Sequence, residues 1–103
     1  MFNVIRYILT CMIRSFRCKD TQTLFERGKS RRFSGIAKIA MRKLVQLDSA
    51  LELRDLAWPP GNRLEALSGN RAGQHSIRIN NQFRLCFVWA DEHAEDVQIV
   101  DYH

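Results

Sequence analysis

Between Ile36 and Leu47 apolar residues recur at three- and four-residue steps. Ile36, Ile39, Ala40, Leu44 and Leu47 share one stripe, which predicts the main core helix of the chain. Lys38, Arg42 and Lys43 fall on the other side, as expected of a solvated charged face. Upstream, Lys19 to Arg27 predicts a shorter helix anchored by Leu24 and Phe25, with Asp20 or Thr21 as N-cap and Gly28 as stop. A basic connector, Lys29-Ser30-Arg31-Arg32, joins the two. Ser49 to Leu56 offers one more helical turn, which Trp58-Pro59-Pro60-Gly61 ends because neither proline can continue a helix.

The rest of the chain alternates like strands. A short strand is predicted at Ile13 to Phe16, and four more at Arg63 to Leu67, Gln74 to Ile79, Phe83 to Trp89 and Asp96 to Asp101. The last four are separated by Gly69 to Gly73, Asn80 to Gln82 and the polar run Asp91 to Glu95, connections short enough for an antiparallel meander. The expected fold class is therefore α+β, with two principal N-terminal helices packed on one face of an antiparallel sheet and the other face open to a ligand.

The central hairpin has two conceivable registers. A two-residue turn at Asn80-Asn81 sets Arg78 against Phe83 and mixes polar with apolar on both faces. A three-residue loop, Asn80 to Gln82, aligns Ile79 with Phe83 and Ile77 with Leu85, and is the cleaner choice. It also sets Arg78 opposite Arg84 on the face turned from the core, beside Ser76 and Cys86. Like charges directly opposed on a sheet need compensation, and a phosphate matches the guanidinium fork. Glu65 or Asp101 could supply the compensation structurally instead.

Composition fits one small domain: 103 residues, 46% hydrophobic, with 16 Lys and Arg against 11 Asp and Glu. The net charge of +5 favours an anionic partner without choosing among RNA, DNA and acidic protein. Cys11, Cys18 and Cys86 form no zinc-ligand spacing, so no metal or other cofactor is expected, and an odd cysteine count suits a reducing cytoplasm. The apolar start, Met1 to Leu9, is broken by Arg6 and predicts neither secretion nor a membrane span. His75 is expected on the Ile77 face of the sheet, His93 in a loop, and Trp58 and Trp89 in packing roles.

The chain closes on Asp101-Tyr102-His103, directly after the strand pattern Val97 to Val100 that would hold these side chains in place. A histidine fixed there can exchange a proton near neutral pH.

Together these pieces resemble the HigB toxins of the RelE/ParE superfamily. The resemblance is carried by Ile13-Arg14-Ser15-Phe16, by Pro59-Pro60-Gly61-Asn62-Arg63-Leu64-Glu65-Ala66-Leu67, by Gly73 to Asn80, by Phe83-Arg84-Leu85-Cys86-Phe87 and by the closing Asp101-Tyr102-His103. It covers residues 12–103 as one toxin domain and leaves residues 1–11 as an atypical N-terminal extension. It implies a type II toxin–antitoxin component, a ribosome-dependent messenger RNA endoribonuclease. The implied partners are the ribosome, messenger RNA and a HigA-like helix-turn-helix antitoxin through which the complex reaches operator DNA. Catalytic or substrate-binding roles carry over to Arg84, Asp101, Tyr102 and His103. Some relatives have His where this chain has Glu65, and a basic residue where it has Ser68, so their mechanism does not transfer whole.

The residues themselves suit cleavage by the RNA's own 2′-hydroxyl, which needs a base, an acid and positive charge around the phosphate, but no metal. Arg84, helped by Arg78, is expected on the scissile phosphate, with Arg71 as a further RNA-binding position. His103 is expected to carry the proton to the leaving oxygen, with Glu65 or Asp101 as base or as the group that orients His103. Tyr102 either stacks on a base or hydrogen-bonds the substrate. Two other readings stay open: a ParE-like gyrase inhibitor, and an RNA- or antitoxin-binding module with a weakened active site.

Overall fold

In the computed structural model residues 13–102 are described. Residues 1–11, expected to be an extension, and the terminal His103 therefore lie outside the described residues.

Helix α1 runs Lys19–Arg27 and α2 runs Ala37–Ser49. Gly28 ends α1 as the sequence predicts, in the left-handed region at φ 77°, its N–H donating to Leu24 O at 2.8 Å. The N-cap differs from expectation: it is Cys18, without a side-chain capping bond. Thr21 is instead fully buried inside the first turn, and its Oγ1 accepts the backbone N–H of Ile99 at 3.0 Å. The hydroxyl ties the helix to the sheet rather than capping it.

On α2 the predicted stripe holds for Ala40, Leu44 and Leu47, which are fully buried, but Ile39 is 40% exposed. A stripe that begins at Ile36 spans more of the helix circumference than the sheet covers. The helical turn expected before the prolines is a separate 3-10 turn, Leu53–Ala57, capped reciprocally by Glu52 and Asp55.

The sheet comprises β1 (Glu65–Ala66), β2 (His75–Arg78), β3 (Phe83–Ala90) and β4 (His93–Asp101), antiparallel in the order β1-β2-β3-β4. Its outer edge at β4 is covered by the predicted first strand, which pairs in parallel through Ile13 with Ala94 and Phe16 with Val97. The β2–β3 register is the three-residue one, with Ile77 opposite Leu85 and Arg78 opposite Arg84. Asn80 fixes the loop by accepting the N–H groups of Gln82 at 2.8 Å and Phe83 at 2.7 Å.

β2 and β3 fall within one residue of their predicted bounds at each end, and the other two strands depart further. β1 is only two residues long, because Arg63 adopts a left-handed backbone after the 3-10 turn Pro60–Asn62 and a second 3-10 turn, Gly69–Arg71, follows. β4 starts earlier, at His93, which pairs with Ala90 instead of lying in a loop. A bulge between the Cys86–Gln98 and Val88–Glu95 rungs puts one extra residue into β4, so Ala94 and Val97, three apart, both face the core. That break in period two hides the start of the strand from an alternation pattern.

The core lies between the helices and one sheet face. Leu24, Leu44, Leu47, Leu56, Ile77, Leu85, Phe87 and Val97 are fully buried there, each contributing roughly 1.5–3 kcal/mol of transfer free energy. His75 sits on this face beside Phe87, as expected, and Trp89 packs edge-on against the same ring. Trp58 does not pack: it is 72% exposed, and its backbone carbonyl, rather than its ring, is engaged by Gln46 and Asn62. Among the described residues no helix is long and apolar enough to cross a membrane.

Candidate active site

The outer sheet face is built by the alternation that buries the inner one. With Ile77, Leu85 and Ile99 turned inward, Ser76 and Arg78 of β2, Arg84 and Cys86 of β3, and Gln98 and Val100 of β4 point outward. Tyr102 continues that row, and Glu65 joins it from β1 through its pairing with Ser76.

Arg84 is the centre of this face. Its Nε donates to Ser76 Oγ at 2.7 Å, and its Nη2 donates to Arg63 O at 2.7 Å and lies 3.5 Å from Glu65 Oε1. Its Cζ stands 5.9 Å from the centroid of the Tyr102 ring. The side chain is only 12% exposed, so its orientation is set by protein contacts on several sides. Arg78 opposite has no carboxylate partner among the described residues; its Nη2 donates to Asn81 Oδ1. Compensation of the arginine pair is thus one-sided: among the described residues Glu65 stands beside Arg84, and no carboxylate stands beside Arg78.

Tyr102 is tied down by its backbone N–H, which donates to Gln82 O at 2.7 Å, and its phenol lies close enough to Cys86 for the two to influence each other. Burial, then the neighbouring Cys86, push the phenol above its ordinary range despite Arg71 and Arg84. It is a donor and a stacking surface at neutral pH, not a base. Burial likewise pushes the Cys86 thiol up, so it is a neutral packing group rather than a nucleophile.

Arg63, Arg78, Asn80, Asn81, Arg84 and Tyr102 line an open cavity of about 330 Å³. A larger groove of about 650 Å³ lies across the helices, but its lining, Gly28, Ala37, Lys38, Met41, Arg42 and Val45, carries no His, Asp or Glu to exchange a proton.

The structure thus brings together Glu65, Arg78 and Arg84 from three strands and Tyr102 from just past the fourth, with Arg71 close enough to influence both Cys86 and Tyr102. Asp101 stands on the last rung opposite Phe83, and its Oδ2 accepts from Gln82 Nε2 at 3.0 Å. Ser68 is exposed at the start of the Gly69–Arg71 turn.

Three supporting residues escaped the sequence reading. Ser76 is recognised there only as a face position, not as the clamp on Arg84. Arg63 contributes its carbonyl through a left-handed conformation that no strand pattern suggests. Asn62 is fully buried, its amide N–H groups facing Gln46 Oε1 and the carbonyls of Leu56 and Trp58, and its Oδ1 accepting from Lys43 Nζ at 2.6 Å. Burial, then Arg42 and Arg78, lower the pKa of Lys43. A polar residue directly after Pro-Pro-Gly was the available signal for Asn62, since such turns need side-chain partners for their carbonyls.

Residues 14–103 match the family model for the RelE-like toxin of the type II toxin–antitoxin system HigB. The chain belongs to the HigB-like toxin family. A toxin of this family has an antitoxin as partner. Toxin HigB-1 of Vibrio cholerae serotype O1 is 44% identical over 82 residues, covering 78% of this chain and 86% of its own. Endoribonuclease HigB of Proteus vulgaris is 33% identical over 100 residues, covering 89% of this chain and 100% of its own. Among solved structures, a chain of the YoeB-YefM complex from Staphylococcus aureus shares the fold, with a TM-score of 0.55 at 20% identity over 90% of this chain and 97% of that one.

Proposed function

We propose that this HigB-like toxin is a ribosome-dependent endoribonuclease. It acts in the cytoplasm on messenger RNA by metal-independent attack of the RNA's own 2′-hydroxyl, and a HigA-like helix-turn-helix antitoxin neutralises it. The observation that carries this reading is the opposed pair Arg78 and Arg84, lining one cavity with Tyr102, in which Arg84 stands over the Tyr102 ring and, of the two arginines, has the carboxylate beside it. The similarity to Endoribonuclease HigB of Proteus vulgaris supports the same activity.

The mechanism distributes three tasks. Arg84, with Nε and Nη2 already held, presents its remaining Nη1 to a phosphate oxygen, and Arg78 neutralises a second one as charge grows on the pentacoordinate phosphorus. Glu65, the carboxylate bordering the guanidinium, takes the 2′-hydroxyl proton. His103 returns a proton to the departing 5′-oxygen, and Asp101 orients it. Tyr102 offers its ring face to a base.

The test is 5′-end mapping of translated messages after brief expression of the toxin. New ends inside codons are expected. Intact messages accompanied by DNA damage would replace the reading with gyrase inhibition, and intact messages and DNA together would leave a binding module only.

A further inference from the structure

On the same sheet face, past Tyr102 towards the start of β2, lies a second polar cavity of about 320 Å³, lined by Arg17, Asn70, Arg71, Gln74 and Gln98. We propose that it is a nucleotide subsite, holding a neighbour of the nucleotide at Arg84 and reading its base through the amides of Asn70 and Gln98. The proposal rests on the RNA reading given above.

Four observations carry it. Gln98 of β4 and Tyr102, the residue that follows β4, share one facing and line one cavity each, four residues apart along the chain, or about 14 Å at ~3.4 Å per residue. A single strand laid across the sheet from the arginine pair would run into the second cavity. Arg71 joins the two, because its charge acts on both Cys86 and Tyr102 while its Nη1 donates to Gln74 Oε1 at 3.2 Å inside the second cavity.

The lining chemistry also differs between the two cavities in a useful way. The first holds three guanidinium groups and suits a phosphate. The second holds two, Arg17 and Arg71, together with three carboxamides and no carboxylate. Carboxamides present a donor and an acceptor side by side, the pattern that matches base edges, whereas phosphate oxygens only accept. Lastly, Arg17 is placed without cost to the fold: its backbone N–H pairs with Val97 O at 3.0 Å at the sheet edge, and its exposed side chain is in no ion pair among the described residues.

The experiment uses the full-length chain and three variants, Arg17→Ala, Asn70→Ala and Gln98→Ala, with two readouts. Cut-site mapping in translated messages should keep cleavage but redistribute the nucleotides flanking the cut in the Asn70 and Gln98 variants. Binding of uncleavable 2′-O-methyl trinucleotides, varied at one end through the four bases, should weaken about fivefold or more in all three variants, with base preference flattened by Asn70→Ala and Gln98→Ala. Wild-type cut distribution together with wild-type trinucleotide affinity overturns the subsite and leaves the nuclease reading intact. If the wild-type chain cuts no RNA, the nuclease reading falls and trinucleotide binding alone decides: variant-sensitive binding upholds the subsite, and absent or insensitive binding removes it.

Discussion

Arg84 commits two of its three guanidinium nitrogens to Ser76, Arg63 and Glu65, which fixes the plane of the group before any substrate arrives. Pre-set geometry of this kind is worth more to a developing charge than a mobile cation is. Ser76→Ala removes the Nε anchor of a largely buried guanidinium while keeping the charge, so RNA cleavage should fall about tenfold and stability by about 1–3 kcal/mol; a drop in stability without loss of cleavage would make Ser76 merely structural. Cys86 supplies a pH test. Its folded-state pKa is raised above the ordinary 9.0, so the unfolded chain gives up its proton first as pH rises. Stability is whole below that value and falls as pH climbs through the folded pKa. Denaturant melts from about pH 8 to about pH 10 should show a steeper alkaline decline for wild type than for Cys86→Ala; parallel curves would mean the buried thiol is not shifted. Pairing of Arg78 with Arg84 was legible in the sequence, because one register alone keeps the apolar positions on one face. The clamp on Arg84 was not, since a side chain's choice among hydroxyl, carbonyl and carboxylate depends on loops that alternation does not describe.

The elements that aim these residues are a meander and two irregular turns. β2 and β3 hold the arginines by regular pairing, but the turn from Leu53 to Arg63, which reaches the site through the Arg63 carbonyl, is held in place by Asn62. Asn62 is fully buried and bridges α2, through Gln46 and Lys43, to the carbonyls of Leu56 and Trp58. Asn62→Ala strands those groups, so stability should drop by about 1–3 kcal/mol, and cleavage should weaken as the Arg63 carbonyl loosens from Arg84. Denaturant melts and cleavage assays on one preparation check both; loss of neither would show that the loop is held elsewhere. Helix positions were readable from three- and four-residue steps, and the stop at Gly28 from its left-handed requirement. The early start of β4 was not, because the bulge shifts its inward residues out of step. Nor was the shortness of β1, cut by left-handed Arg63 in a stretch whose composition still favours a strand.

At the scale of the molecule, one sheet separates two tasks. Its inner face carries the leucine-rich core against both helices, and its outer face gathers arginines from different strands around Tyr102. Because the core is complete without the outer face, substitutions there can remove chemistry and leave the fold standing. The α+β class and the sidedness of the sheet followed from the sequence, since hydrophobic alternation decides both. Membership of the HigB-like toxin family agrees with the resemblance carried by the Pro59 to Leu67 and Gly73 to Phe87 segments. The central claim is that this outer face cuts translated RNA, and Arg84→Ala tests it most directly because the residue touches the proposed phosphate and does not belong to the core. The measurement is 5′-end mapping of translated messages after matched expression of wild type and Arg84→Ala, with folding of both verified by circular dichroism. Wild type should leave ends inside codons and the variant about 10²-fold fewer or none; equal cutting by a folded Arg84→Ala chain would contradict the account.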